Sequence, residues 1–332
     1  MVTHTNPPTI FSRILAFSGD HHLIKSDATI MVGLSGGPDS VFLLHFLVHI
    51  QKKYNLTIIA AHLDHGWRAE SAQDVTFCKN VAADLGIPFF YATATDLHVN
   101  VPYNGSKEEV GRKLRRHFFE QLAGEKNANC VALAHHTDDQ QETFFIRLLR
   151  GASLTGLTGM KPQDGLYIRP LLELSKKEIV DYLHENSIAY LTDSTNNSPA
   201  FLRNRIRAQV IPALKVADDR FDQNFKSTLT KLQETEQFLT TLTAIMFEQI
   251  KIPSTTQTIL DLTQWRMLDR FLQQRIIIYW LCSEKVPFGI SDAFVQEIAR
   301  FLISPRGGEH ALNQKWAIVQ KSQQAYIKRL LQ

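Results

Sequence analysis

Four short apolar runs recur through the first part of the chain, at Ala28 to Val32, Leu56 to Ala61, Pro88 to Ala94 and Cys130 to Ala134. The first carries β-branched Thr29, Ile30 and Val32, and all four read as buried strands. Between them apolar residues fall at helical spacing. Val41 to Leu44 with Phe46, Leu47 and Ile50 form one such face, Ser71 to Leu85 another, and Val110, Leu114 and Phe118 a third. That third helix opens on the capping-box pattern Ser106-Lys107-Glu108-Glu109. A further helix continues through Phe144 and Leu148 to Arg150. Strands alternating with helices predict an α/β fold: an open, mostly parallel sheet with flanking helices, Rossmann-like in outline.

The pattern changes further along. Arg169-Pro170-Leu171-Leu172 leads into a helix from Lys176 to Asn186, and a long helical segment over 218–250 carries Phe221, Phe225, Leu229, Leu232, Phe238, Leu242 and Ile245. Pro253 to Thr258 break it, apolar helices follow around Arg266 to Cys282 and Ser291 to Ile303, and the alternating tail after Gly307-Gly308 predicts a short hairpin or strand. Two domains are expected: residues 1–215, and a smaller, mainly helical one over 216–332.

Composition excludes some classes. At 332 residues, 44% apolar and 21% charged, the chain reads as an ordinary soluble globular protein. Cys78, Cys130 and Cys282 are widely spaced, which argues against a disulfide framework, a zinc ribbon or a redox dithiol. No apolar run approaches the roughly 20 residues of a membrane span, and the N-terminus does not read as a signal peptide, so a cytoplasmic protein with no membrane partner is expected. The net charge of +3 is too small to argue for a nucleic-acid partner by itself.

Candidate chemistry centres on Ser35-Gly36-Gly37-Pro38-Asp39-Ser40, at a strand-to-helix junction. Glycines without a Cβ let backbone N–H groups approach an anion, Ser35 and Ser40 add hydroxyls, and the helix start adds partial positive charge. This predicts a phosphate cradle, although neither G-x-x-x-x-G-K-[ST] nor G-x-G-x-x-G is present. Asp39 would repel phosphate unless a cation lies between, so Mg²⁺ on Asp39 is expected. The second strand runs into His62-Leu63-Asp64-His65-Gly66-Trp67-Arg68, beside the cradle if the sheet is open; Asp64 could equally cap its own turn. Arg112, Lys113, Arg115 and Arg116 form a basic helix face, and such faces are usually solvated. After the fourth strand comes His135-His136-Thr137-Asp138-Asp139-Gln140-Gln141-Glu142-Thr143, with Asp139 and Glu142 on one helix face. Acids in a first turn also suit the helix dipole, and both roles can coexist. His45 and His49 lack any evident third ligand and read as packing residues.

Taken in order, these motifs resemble those of tRNA(Ile)-lysidine synthase, a PP-loop ATP pyrophosphatase family. The resemblance covers residues 30–214: the S-G-G-x-D-S loop, H-x-D-H-G-x-R with Trp67 where the family usually has leucine, and A-R-x-x-R-Y matched at Arg112 and Arg115 with Gly111 for alanine and Arg116 for tyrosine. It continues through H-H-x-D-D-x-x-E-T, the glycine-rich Arg150 to Met160, Asp193 to Asn196, and Arg203-Asn204-Arg205-Ile206-Arg207. Arg203 and Arg207 share a helix face, leaving Arg205 to point elsewhere, toward the cleft. Longer members carry a further C-terminal domain that this chain is too short to hold.

The resemblance implies ATP and Mg²⁺ as cofactors, with Ser35 to Ser40, His62 and Asp64 at the nucleotide. It implies Asp39, Arg112, Arg115, Asp139, Glu142 and Arg205 as the residues of the reaction. The partners would be an isoleucine tRNA with a CAU anticodon and free L-lysine, with the C-terminal domain binding tRNA; oligomeric state stays open, a homodimer included. The wobble cytidine would be adenylated and then joined to lysine, its ammonium held by Asp139 and Glu142. Two other readings share the fold. A tRNA thiolase would need a sulfur-carrying cysteine pair, and an amidating synthetase a source of ammonia. A non-catalytic ATP- or RNA-binding module is a further alternative, disfavoured by acids at strand ends.

Overall fold

The computed structural model describes residues 9–67, 71–97, 107–192, 201–254, 257–289 and 291–330. Arg68, Ser106 and Asp193 to Asn196, singled out above, lie outside the described residues. Two compact units divide the chain at Leu229/Thr230.

In the first unit, α1 (Ile10–Asp20) precedes β1 (Thr29–Gly33), α2 (Pro38–Tyr54), β2 (Thr57–Asp64), α3 (Ser71–Asp84), β3 (Phe89–Thr93), α4 (Lys107–Glu125), β4 (Cys130–Ala132) and α5 (Thr137–Leu149). The short α6 (Leu154–Leu157), the strands β5 (Gln163–Asp164) and β6 (Tyr167–Ile168), α7 (Lys176–Glu185), α8 (Leu202–Arg205) and α9 (Ile211–Ala217) follow, with one π-helical turn over Ile206–Val210 between the last two. The sheet order is β3-β2-β1-β4-β6-β5, parallel throughout except for the β5–β6 hairpin at its edge. The expected α/β architecture is therefore present. The sequence reading had not identified α1, where Thr9 caps the helix by accepting from the Ser12 amide.

Alternation along the strands explains the layers. Ile30, Val32, Ile58 and Ala60 pack on one face with α1, α2, α3 and α7, whereas Met31, Ile59, Ala61 and Leu63 pack on the other against Val110, Leu114 and Phe118 of α4. Phe42, Leu43, Leu44, Phe46 and Leu47 of α2 are fully buried. At about 1.5–3 kcal/mol per such side chain, this burial holds α2 against the sheet. His49 packs its ring against Phe11, 4.9 Å between centroids, and burial lowers the His45 imidazole; both are packing residues.

The long helix α10 (Phe221–Ile250) passes the division between the units, while the expected boundary at 215/216 falls within α9. The second unit continues with β7 (Lys251–Ile252), β8 (Ile259–Asp261), α11 (Leu262–Met267), α12 (Arg270–Ser283), α13 (Asp292–Ile303), β9 (Gly308–Asn313), β10 (Trp316–Lys321) and β11 (Gln324–Arg329). One expected helix is two, because Asp269 accepts from the Phe271 amide at 2.8 Å and starts α12 afresh. The expected terminal hairpin belongs to a five-stranded antiparallel sheet, β7-β8-β11-β10-β9, so this unit is helices and sheet together. Its core holds Trp265, Ile276, Ile277, Trp280, Ile298, Leu302 and Ile318, all fully buried.

One ion pair in that unit is largely removed from water. Arg275 donates to both oxygens of Glu236 at 2.9 Å and to Thr243, with side-chain exposures of 15% and 13% for the pair. Removing one partner leaves the other desolvated and uncompensated. Glu236→Ala should lower stability by roughly 3 kcal/mol, read as a shifted midpoint in urea; a shift equivalent to less than about 1 kcal/mol would class the pair with ordinary surface bridges.

Candidate functional site

The loop from Leu34 to Gly37 joins β1 to α2. Gly36 takes φ +82°, where a Cβ would lie 2.8 Å from Leu191 and 3.2 Å from Cys78, so its lack of a side chain is required twice over. Gly37 is different: it caps α2 with an ordinary extended backbone at φ −69°, and positive φ is needed at one glycine only. Pro38 takes the first helical position, where its missing N–H costs nothing. Ser40 folds back, accepting from the Ser35 amide at 3.1 Å and donating to the Gly37 carbonyl at 3.0 Å. Ser35 is exposed and its hydroxyl lies 3.1 Å from that of Ser40.

His62, at the end of β2, is buried, and its Nδ1 lies 2.8 Å from the Leu34 carbonyl oxygen. Burial lowers its pKa, so the ring ties strand to loop as a neutral group. Asp64 accepts from the Gly66 amide at 2.8 Å and the Ser71 hydroxyl at 3.2 Å, the turn-capping role.

Beyond it, Trp67 stacks on His65 with centroids 4.6 Å apart, and His65 Nε2 lies 3.2 Å from Arg115 Nη2. Burial and the Arg115 charge push the His65 imidazole down to about 4. A Cβ on Gly111 would lie 2.6 Å from the Trp67 ring. The two departures from the family pattern therefore answer each other: the indole fills the space that an alanine methyl would take. Arg112 is exposed on the same helix, and its charge contributes, after burial, to lowering Arg147 and Arg169.

The segment after β4 carries the acids. The His136 amide donates to Asp139 at 3.0 Å, so Asp139 caps the start of α5 from within. The His136 ring is buried among three carboxylates, with Asp138 and Asp139 at 3.4 Å and Asp39 at 3.7 Å. Burial works against its protonation, but Asp138, Asp139 and Asp39 prevail and raise its pKa. Asp138 is held down at about 2: burial opposes this, and His136 with the Lys176 amide at 2.8 Å outweighs it. His135 is pushed to about 4 by burial and stays neutral.

Asp39 itself receives the Lys176 ammonium, 2.6 Å from each carboxylate oxygen. Among the described residues no three His, Cys, Asp or Glu side chains form a cluster able to hold a metal. A single half-buried carboxylate beside a phosphate cradle suits an ion whose remaining ligands are phosphate oxygens and water, which is the way Mg²⁺ is usually bound.

Glu142 is 1% exposed, and both its oxygens are taken, by Arg203 Nε and Arg207 Nε at 2.5 Å each. Arg203 also reaches Asp139 at 2.7 Å. Arg203 and Arg207 do share a face; Arg205 is exposed. Thus Asp39, Asp139 and Glu142 come into one charged assembly with Arg203 and Arg207, and its other members, Lys176, His136 and Asp138, had not been assigned roles from the sequence. A signal for Lys176 was available: a cation on the first turn of a helix opposes the dipole and needs an anion nearby.

Residues 8–214 match the PP-loop domain family. The tRNA(Ile)-lysidine synthase of Bacillus subtilis (strain 168) is 37% identical over 296 residues, covering 85% of this chain and 61% of that protein. The corresponding protein of Bacillus cereus (strain ATCC 14579) is 32% identical over 307 residues, 88% of this chain and 63% of that one. The Listeria monocytogenes serovar 1/2a bifunctional protein TilS/HprT is 34% identical over 283 residues, 83% of this chain and 44% of its own length. The chain thus matches between 44% and 63% of the length of these relatives. Among solved structures, the U34-tRNA thiolase NcsA from Methanococcus maripaludis has a TM-score of 0.58 at 18% identity, covering 68% of this chain and 78% of that one, a likeness of fold.

Two predictions follow from this geometry. Gly111→Ala gains helix propensity worth about 1 kcal/mol in a Trp67→Leu background, but should lose that gain in the natural chain, where the methyl displaces the indole; equal gains in both backgrounds, by denaturant unfolding, would uncouple the residues. The stability due to Asp138 is complete above its ordinary pKa of 3.8 and is lost as pH falls through about 2. Asp138→Asn should therefore cost about 2 kcal/mol near neutrality and flatten the loss of thermal stability over that acid range.

Proposed function

The chain belongs to the PP-loop domain family, and from that premise we propose that it is an ATP-dependent tRNA(Ile)-lysidine synthase acting in the cytoplasm. The observation that carries the reading is that Asp39 of the phosphate cradle, Asp138 and Asp139 each lie within 3.7 Å of the His136 ring, all four in motifs that resemble those of the lysidine synthases. In the proposed reaction the C2 carbonyl oxygen of the wobble cytidine, in an isoleucine tRNA with a CAU anticodon, attacks the α-phosphorus of ATP. The bond to the bridging oxygen breaks and pyrophosphate leaves. The ε-amine of free lysine, once its ammonium has given up a proton, then forms the bond to C2 as the C2–O bond breaks and AMP departs with the electron pair.

The α2 N-terminus with Ser35 and Ser40 binds the phosphates, and His62 holds the loop in register. Mg²⁺ on Asp39, when bound, would offset phosphate charge. Asp139 and Glu142 take the lysine ammonium, a role supported by the guanidinium groups that already occupy them. Arg207 is the more exposed of the two arginines, 47% against 29%, and is the one that an incoming ammonium replaces. Arg112, Arg115 and exposed Arg205 serve the tRNA and the activated base, and the second unit supplies further tRNA contacts. The thiolase alternative is disfavoured by the cysteines: Cys78, Cys130 and Cys282 are widely spaced in sequence, and the first two are buried.

The decisive measurement follows labelled lysine. It should enter an isoleucine CAU-anticodon tRNA only with Mg-ATP present. Glu142→Gln should raise the lysine requirement on the order of tenfold or more, with a smaller effect on tRNA adenylation. Failure of lysine to enter, with another amine or a sulfur donor entering instead, would reject the assignment.

A further inference from the structure

Lys176 is the first residue of α7, behind the capping Ser175. Its backbone amide is held by Asp138 and its ammonium lies 2.6 Å from each oxygen of Asp39. A lysine at this end of a helix faces the positive pole of the dipole, an arrangement that costs stability unless an anion is close. The helix does not need this pair to stay in place. Ile179 and Leu183 are fully buried in the core beneath it, Tyr182 packs edge-on against Phe42, and Glu178 joins Arg13 of α1. With the Lys176 side chain 39% exposed, the pair itself adds little to stability. Packing therefore leaves the position of this charge unexplained, whereas the adjoining loop explains it. The SGGPDS cradle lacks a lysine of its own, the residue that the G-x-x-x-x-G-K-[ST] phosphate loop carries.

We propose that Lys176 is a phosphate-binding residue of the nucleotide site, its ammonium resting on Asp39 in the free protein and passing to the β- and γ-phosphates when ATP binds. The inference rests on the ATP-dependent reading above and adds a residue to it. In the free protein the ammonium neutralises a carboxylate that stands beside a helix N-terminus. When phosphates and their counter-ion arrive, Asp39 is offered a stronger cation and the ammonium is repelled from it, while phosphate oxygens come within reach of the same flexible side chain. As the bond between the α-phosphorus and its bridging oxygen breaks, the electron pair stays on pyrophosphate. A fixed ammonium there stabilises the leaving group without any proton moving.

The test measures binding by calorimetry with the full chain and Mg²⁺ present, using ATP, inorganic pyrophosphate and AMP. Lys176→Met should weaken ATP and pyrophosphate on the order of tenfold to a hundredfold. AMP, which lacks the β- and γ-phosphates, should bind both proteins alike, and the melting temperature should hardly change. Lys176→Arg, which keeps the charge, should restore most of the affinity and also covers a failure of the methionine variant to fold. Unchanged or tighter ATP and pyrophosphate binding in Lys176→Met would overturn the proposal, as would an equal loss for AMP, which marks a structural role. If the natural protein binds neither ATP nor pyrophosphate, the ATP-dependent reading fails and this inference fails with it. Normal binding by the natural protein and by Lys176→Met alike sinks only the role of Lys176.

Discussion

Parallel pairing of β1 with β2 and β4, and of β4 with β6, forces the carboxyl ends of these strands to one edge of the sheet. Everything polar that follows a strand is then delivered to the same place. Asp39 comes from the loop after β1, His62 and His65 from β2, His136 to Glu142 from β4, and Lys176 from the segment after β6. No local preference brings these residues together; the crossover helices do, by returning the chain to the opposite edge each time.

Convergence creates an electrostatic difficulty that the site answers in kind. The helices α2, α5 and α7 all begin at this edge, so their positive ends gather there, and Asp39, Asp138 and Asp139 lie in the first turns of α2 and α5. Carboxylates so placed serve their own helices, as the bond from the His136 amide to Asp139 demonstrates. They would still repel one another without cations between them. His136, Lys176 and Arg203 stand in those gaps, which is why the His136 ring is raised toward protonation despite being buried.

Much of this was legible in the order of residues, and the reason differs from element to element. The strands were readable because β1, β2 and β4 are apolar runs ending in abrupt polar bursts, and the cradle because glycine, proline and acid at a strand–helix junction admit few structures. Local patterning could not show the pairing of Lys176 with Asp39, residues 137 apart, or of Arg203 and Arg207 with Glu142, since each depends on which helix starts meet. The break before α12 was hidden because Asp269 sits inside an apolar stretch that reads as one helix until its side chain is seen to cap the next turn. The terminal sheet was underestimated for a related reason: β7 and β8 are only two and three residues long, below the length at which alternation carries information. Trp67 and Gly111 each looked like a lone departure from a family pattern, and only their contact reveals one packing solution.

Glu142 carries the argument furthest. A carboxylate with 1% of its surface exposed has given up nearly all of its hydration, a loss that only close partners offset. Two guanidinium groups, one on each oxygen, supply those partners as charge-assisted bonds. Arg203 also bonds Asp139, whose carboxyl is held below its ordinary range, against burial, first by the His136 and His135 rings and then by Arg203. Arg203 and Arg207 thus take the place of water around buried acids at this edge of the sheet. Arg203 on α8, Arg207 in the turn after it and the acidic face of α5 are therefore two halves of one charge-paired assembly.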